Sequence, residues 1–168
     1  MKALLLSLLS LAAATMPLAA QDLWNGTKMG MSEAELRAKV PGLEVAKEPA
    51  ELFDGTKAKL MLPKVEIGGE SFVANFYFKE EKLLQVMLTL PNKQERTFDQ
   101  LVPLIDTLVA DLGKKHGKPT ETKRDDNPVR KFASYQWTTK TTRLSVNSGG
   151  VDRLPAFLTI TYQGVSSK

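Results

Sequence analysis

Cysteine is absent from all 168 residues, and histidine occurs once, as His116. The first absence excludes disulfides, a lipid-modified cysteine, thiolate catalysis and every zinc set built on sulfur. The second leaves His116 as the only imidazole base a hydrolytic triad could use. Aromatic residues make up only 7% of the chain, so each one placed on a strand counts as a candidate for core or contact. Charge of one sign is also short: 23 basic against 19 acidic residues give a net charge of +4, with no like-charge run long enough for a nucleic-acid arm.

Long apolar runs are limited to one, the small-and-apolar stretch from Ala3 to Ala14. Met1-Lys2 precedes it, and Thr15-Met16-Pro17-Leu18-Ala19-Ala20 closes it with small residues. That three-part layout is a secretory signal peptide. A membrane-spanning helix needs about 20 apolar residues, and Pro17 interrupts any extension, so residues 1–20 are expected to be a cleaved leader with no stable membrane anchor. A buried N-terminal helix would need a polar face, and only Ser7, Ser10 and Thr15 are polar here. Cleavage after Ala20, give or take one residue, leaves a single domain over 21–168 and lowers the formal net charge to +3 with the loss of Lys2. The expected compartment is the periplasm, because no disulfides stiffen the domain; full secretion is the alternative.

In the mature part, Trp24-Asn25-Gly26 reads as a short strand or turn, followed by a sharply written helix start. Ser32 is the N-cap, Glu35 completes a capping box, and Met31 with Leu36 occupy the staple positions. Pro41-Gly42 stops this helix after Val40. From Ala58 to Leu90 the period becomes two. Leu60, Leu62, Val65 and Ile67 lead to a Gly68-Gly69 turn; Phe72, Ala74, Phe76 and Phe78 alternate in a second strand, and Leu84, Val86, Leu88 and Leu90 in a third. A long helix is predicted over 94–116 from Leu101, Leu104, Ile105, Leu108, Val109 and Leu112, with Thr97 and Gln100 as a second capping box and Pro103 marking a start or kink nearby. Thr120 to Pro128 reads as a polar loop, and Asn147-Ser148-Gly149-Gly150 as the beginning of a glycine-bearing loop. Between and after them lie Ala133, Tyr135 and Trp137, then Leu144 and Val146, then Leu158, Ile160 and Tyr162, as strands. The predicted fold class is α+β: two helices packed on antiparallel sheet, with pseudo-halves of one helix and three strands at about 21–92 and 93–168.

The Gly30-Met31-Ser32-x-x-Glu35-Leu36 helix start and the hairpin from Phe76 to Leu88 resemble small bacterial envelope proteins. The families are the barrel-assembly lipoproteins (SmpA/OmlA) and the tandem-domain β-lactamase inhibitor proteins. The resemblance covers about a third of the mature chain and implies helices on an antiparallel sheet and a job of binding another envelope protein. The acylated cysteine of the first family and the disulfides of the second have no counterpart here, so no functional residue is carried over.

Residues able to do chemistry are sparse. His116 falls in a basic helix end beside Lys114, Lys115 and Lys118. Asp125-Asp126-Asn127 lacks the glycine and distal glutamate of a calcium loop. Met29 and Met31 are too few for a cuprous site, and Glu80-Glu81 sits on a hairpin tip where nothing raises a carboxyl pKa. The expectation is therefore no enzyme, no metal and no cofactor. Two binding surfaces remain. One is the basic group Lys114, Lys115, His116, Lys118, Lys123, Arg124, Arg130 and Lys131 around one loop. The other is Tyr77, which with Val73 and Met87 points away from Phe72, Phe76 and Phe78, so that face is either covered by a second layer or sticky. The function expected is a non-catalytic binding module acting on an envelope or secreted protein, as an inhibitor, an immunity factor or an assembly accessory. A carrier of an apolar ligand or lipid is the alternative, and an enzyme comes third. Nucleic acid is not an expected partner.

Overall fold

Both capping boxes form. The Glu35 carboxylate accepts the backbone N–H of Ser32 at 2.7 Å, and the Ser32 hydroxyl accepts the N–H of Glu35. These bonds hold the Glu35 carboxyl below its ordinary pKa, the Ser32 backbone N–H contributing most. They open helix α1 (Glu33–Lys39), which buries Leu36 against the sheet. The second box opens helix α2 (Phe98–His116), where Gln100 Oε1 accepts the Thr97 N–H at 2.9 Å. The computed structural model describes residues 21–165; the predicted leader, 1–20, lies outside the described residues.

Eight strands are described: β1 (Glu44–Val45), β2 (Lys57–Ile67), β3 (Glu70–Lys79), β4 (Lys82–Thr89), β5 (Glu121–Asp126), β6 (Arg130–Thr138), β7 (Thr142–Val151) and β8 (Phe157–Gly164). They form one antiparallel sheet in the order β1-β2-β3-β4-β8-β7-β6-β5. The α+β class is therefore as the sequence predicts, with the sheet dominant. Each helix is followed by four strands, where the hydrophobic pattern shows only three.

The hairpin at Gly68-Gly69 has both φ angles positive, 60° and 80°, a twist that suits glycine and matches that of the flanking strands. The next turn demands the same of Glu80 and Glu81 (φ 48° and 61°), and Lys59 reaches across to pair with the Glu81 carboxylate. One side of the sheet carries Leu60, Phe72, Phe76, Phe78, Val86, Leu88, Leu144, Val146, Leu158 and Ile160, all buried with Leu36 of α1 and Phe98, Leu101, Ile105 and Leu108 of α2. Each such side chain contributes about 1.5–3 kcal/mol on burial, so this one cluster is the main source of stability.

Several sequence expectations are corrected. Thr120–Pro128 is largely strand: β5 pairs with β6 along its whole length, and its six side chains are charged or polar because it is an edge. Asn147 to Gly150 lies inside β7, where Ser148 and Gly149 are buried; a Cβ on Gly149 would stand 3.0 Å from the Phe157 ring, and one on Gly150 3.0 Å from the Ala156 methyl. The glycines make room for neighbours and do not mark a loop. A register shift between Tyr77 and Phe78 turns Leu83 into the core and leaves Leu84 half-exposed, the reverse of simple alternation. Trp24–Gly26 is a single 3-10 turn whose indole packs 6.1 Å from the Phe76 ring. α2 begins at Phe98, not Gln94, and runs through Pro103.

The late start of α2 has a cause. Asn92 occupies the linker from β4, donating through Nδ2 to the carbonyls of Arg96 (2.7 Å) and Ala156 (2.9 Å) and accepting the Arg96 N–H at 2.9 Å. Arg96 in turn makes a two-pronged contact with Glu70 at the start of β3 (2.6 and 3.3 Å). This knot joins β3, the linker and the segment before β8.

Candidate functional site

Strand alternation gives the sheet a second face, which carries none of the buried residues of α1 or α2. Register places its side chains in rows across the strands. The central row runs Met61, Asn75, Met87, Thr161, Ser145, Gln136, ending on Glu44 of β1 and Glu121 of β5. Beside it runs Val73, Thr89, Thr159, Asn147, Ser134, and on the other side Tyr77, Gln85, Gln163, Arg143, Thr138. Across β3, β4, β8, β7 and β6 these rows contain one charged side chain, Arg143, in a protein that is 25% charged. Apart from Arg143, charge is thus kept to the edges of this face.

Most of these residues are half-exposed, and among the described residues neither helix buries a side chain against them. Some are ordered among themselves: Ser134 Oγ donates to Asn147 Oδ1 at 2.8 Å, Asn147 Nδ2 to Ser145 Oγ at 2.9 Å, and Gln136 Nε2 to Thr138 Oγ1 at 3.0 Å. Such a surface offers donors, acceptors and thioethers that a partner can desolvate cheaply, because no buried charge is left to compensate.

Of the aromatic candidate, Val73 and Met87 lie on this face and stay half-exposed. Tyr77 shares the face but is only 4% exposed, flanked in register by buried Ala58 and by Gln85 at 6%. Burial also raises the pKa of its phenol. That corner is closed, so Tyr77 acts as a support and the accessible part lies toward Met87 and β8.

The basic candidate is dispersed. Lys114 pairs with Asp111 at 2.7 Å, Lys123 with Glu121 at 2.6 Å, Arg124 with Asp126 at 3.1 Å and Lys131 with Asp99 at 2.7 Å. The Asp126 carboxylate, followed by the Tyr135 hydroxyl, raises the pKa of Arg124. Lys123 and Arg124 alternate to opposite faces of β5, and Arg130 sits at the start of β6, roughly 25 Å from its end near the α2 terminus. Lys115, His116 and Lys118 do come together, at the end of α2.

Sequence reading missed Ser134, Ser145, Asn147, Thr159 and Thr161. Their signal was available: apart from Arg130, Lys131 and Arg143, the polar positions of β6, β7 and β8 are filled by uncharged residues where an ordinary solvated face would carry lysine and glutamate. Among the described residues no three of His, Asp and Glu gather in a metal-binding group. No protein-family model, curated protein or solved structure gives a significant match to this chain.

Proposed function

We propose that this protein is a non-catalytic binding module of the periplasm that acts on a protein partner, as an inhibitor, an immunity factor or an envelope-assembly accessory, through the open face of its sheet. The observation that carries the reading is the near absence of charge from the three central rows. Five strands at about 4.8 Å spacing and three same-face positions along each span roughly 24 by 20 Å, the scale of the central patch of a standard protein interface. The leader expected at 1–20 and the sequence resemblance to SmpA/OmlA and β-lactamase inhibitor proteins point to the same class of job. We also read 21–92 and 93–168 as two related units, since the strand order runs outward from the β4–β8 seam in the same sense on both sides.

The experiment is site-specific photo-crosslinking in the intact envelope, with a benzophenone side chain at Thr161 on the open face or at exposed Asp106 on α2. A defined protein adduct is expected from Thr161 alone, and Met87→Arg should abolish it while the protein remains folded. Adducts from Asp106 alone, or a Thr161 adduct indifferent to Met87→Arg, would overturn the assignment. Because Arg143 is the one charge in these rows, the affinity should change much less between about 50 and 500 mM salt than capture by the basic group, which would fall steeply.

A further inference from the structure

On the helix-bearing side of the sheet, α2 stops short of one row, Trp137–Leu144–Tyr162. The gap is closed on one side by the last residues of α2 and on another by Asp22 and Leu23, the Asp22 carbonyl accepting a bond from Thr142 Oγ1 at 3.1 Å. The result is a cavity of about 450 Å³, within the range of small-molecule sites. Its floor is apolar: Trp137, Leu144 and Leu23 are buried, and Tyr162 is half-exposed. The cavity is independent of the open face, which lies on the opposite side of the sheet.

The polar atoms around it are unevenly committed. Thr120 Oγ1 donates to Gln136 O, Thr139 Oγ1 to Thr142 O and Thr142 Oγ1 to Asp22 O, so these three hydroxyls have spent their protons on backbone. The Trp137 Nε1–H is likewise used, on the Gly117 carbonyl at 2.9 Å. The side-chain donors left at the rim are Lys115, Lys118, the His116 ring and the Thr138 hydroxyl, with the Tyr162 phenol, whose pKa burial raises to about 12. Asp22 is the one carboxylate in the lining, and Lys28 lies 3.9 Å from it. Neither Lys115 nor Lys118 has an ion-pair partner among the described residues. The C-terminal end of α2 disfavours an anion by about half a charge, which two full ammonium charges outweigh.

We propose that this cavity binds a small anionic ligand: a compact apolar ring body on the Trp137–Leu144–Tyr162 floor, carrying an acceptor-only group, carboxylate or phosphate, held by Lys115 and Lys118. A neutral ligand forgoes the attraction of the two ammonium charges, and a bare anion leaves the floor uncovered.

The test reads the Trp137 indole N–H by NMR, with Trp24→Phe removing the only other tryptophan signal. The probes are 2-naphthoate and 2-naphthyl phosphate, with 2-naphthylmethanol as the neutral comparator. Both anions, or one of them if the site separates the two groups, should shift the Trp137 resonance at least about tenfold more tightly than the alcohol, and Lys115→Gln/Lys118→Gln should remove that advantage with the rest of the spectrum unchanged. An unmoved Trp137 resonance, equal binding of the alcohol, or full anion affinity in the double variant would overturn the proposal. Because both lysines are exposed, the variants are expected to fold.

Discussion

The two faces of this sheet are made from the same strands, one residue out of step, and they obey different rules. On one, Phe72, Phe76, Leu88, Val146 and Ile160 are buried under the helices. On the other, Asn75, Met87, Thr161, Ser145 and Asn147 are half-exposed, and charge other than Arg143 is confined to the edges. A face meant only for water gains solubility from lysine and glutamate. Its absence here places the open face between core and surface, apolar and uncharged enough to be covered and polar enough to be left bare.

The sharpest way to break this contrast is a pair of truncations. Phe76→Ala should lose about 3–5 kcal/mol in a denaturant titration, and Met87→Ala less than about 1 kcal/mol. An equal loss at Met87 would mean that something packs on the open face. Next in size is the knot that joins the two sides of the seam. Asn92→Ala removes three hydrogen bonds and strands the Ala156 carbonyl and the Arg96 amide, at about 1–3 kcal/mol. Gly150→Val pushes against Ala156 on the helix-bearing face and should cost about 1–3 kcal/mol, read as a lower denaturation midpoint at unchanged slope.

The smallest effect is at the α1 cap. Ser32→Ala should lower the melting temperature by roughly 2–4 °C at neutral pH. Because the Glu35 carboxyl is held below its ordinary value of 4.5, its contribution is present above that pH and is lost as pH falls through the folded value. The share that comes from the Ser32 hydroxyl on the Glu35 carboxylate is lost in Ser32→Ala, so the difference from wild type should shrink on acidification; a constant difference would exclude that hydroxyl–carboxylate bond.

Much of the helix-bearing side was legible in advance. Ser32 with Glu35, Thr97 with Gln100, the glycine pair at 68–69 and the alternation of Phe72 to Phe78 are local signals, each complete within a few residues. β5 was illegible because an edge strand carries charge on both faces, and its pairing with β6 depends on backbone atoms that leave no hydrophobic trace. Gly149 and Gly150 were misread because what they make room for, Phe157 and Ala156, lies on a neighbouring strand. The core place of Leu83 follows from a register shift against Tyr77 and Phe78 that periodicity cannot express.

The candidate sites divide along the same line. The sequence alone determined that sulfur chemistry is excluded, that two capped helices alternate with apolar strands, and that the basic residues fall near the α2 terminus and after it, because composition, capping and period are properties of short segments. Only the tertiary structure decided which of those residues meet. Register aligned Met87 with Thr161 and Ser145, buried Tyr77, separated Arg130 from Lys115 and Lys118, and left the Trp137–Leu144–Tyr162 row under the gap at the end of α2. Those meetings depend on strand order and on where a helix runs out, which long-range pairing sets and local pattern does not.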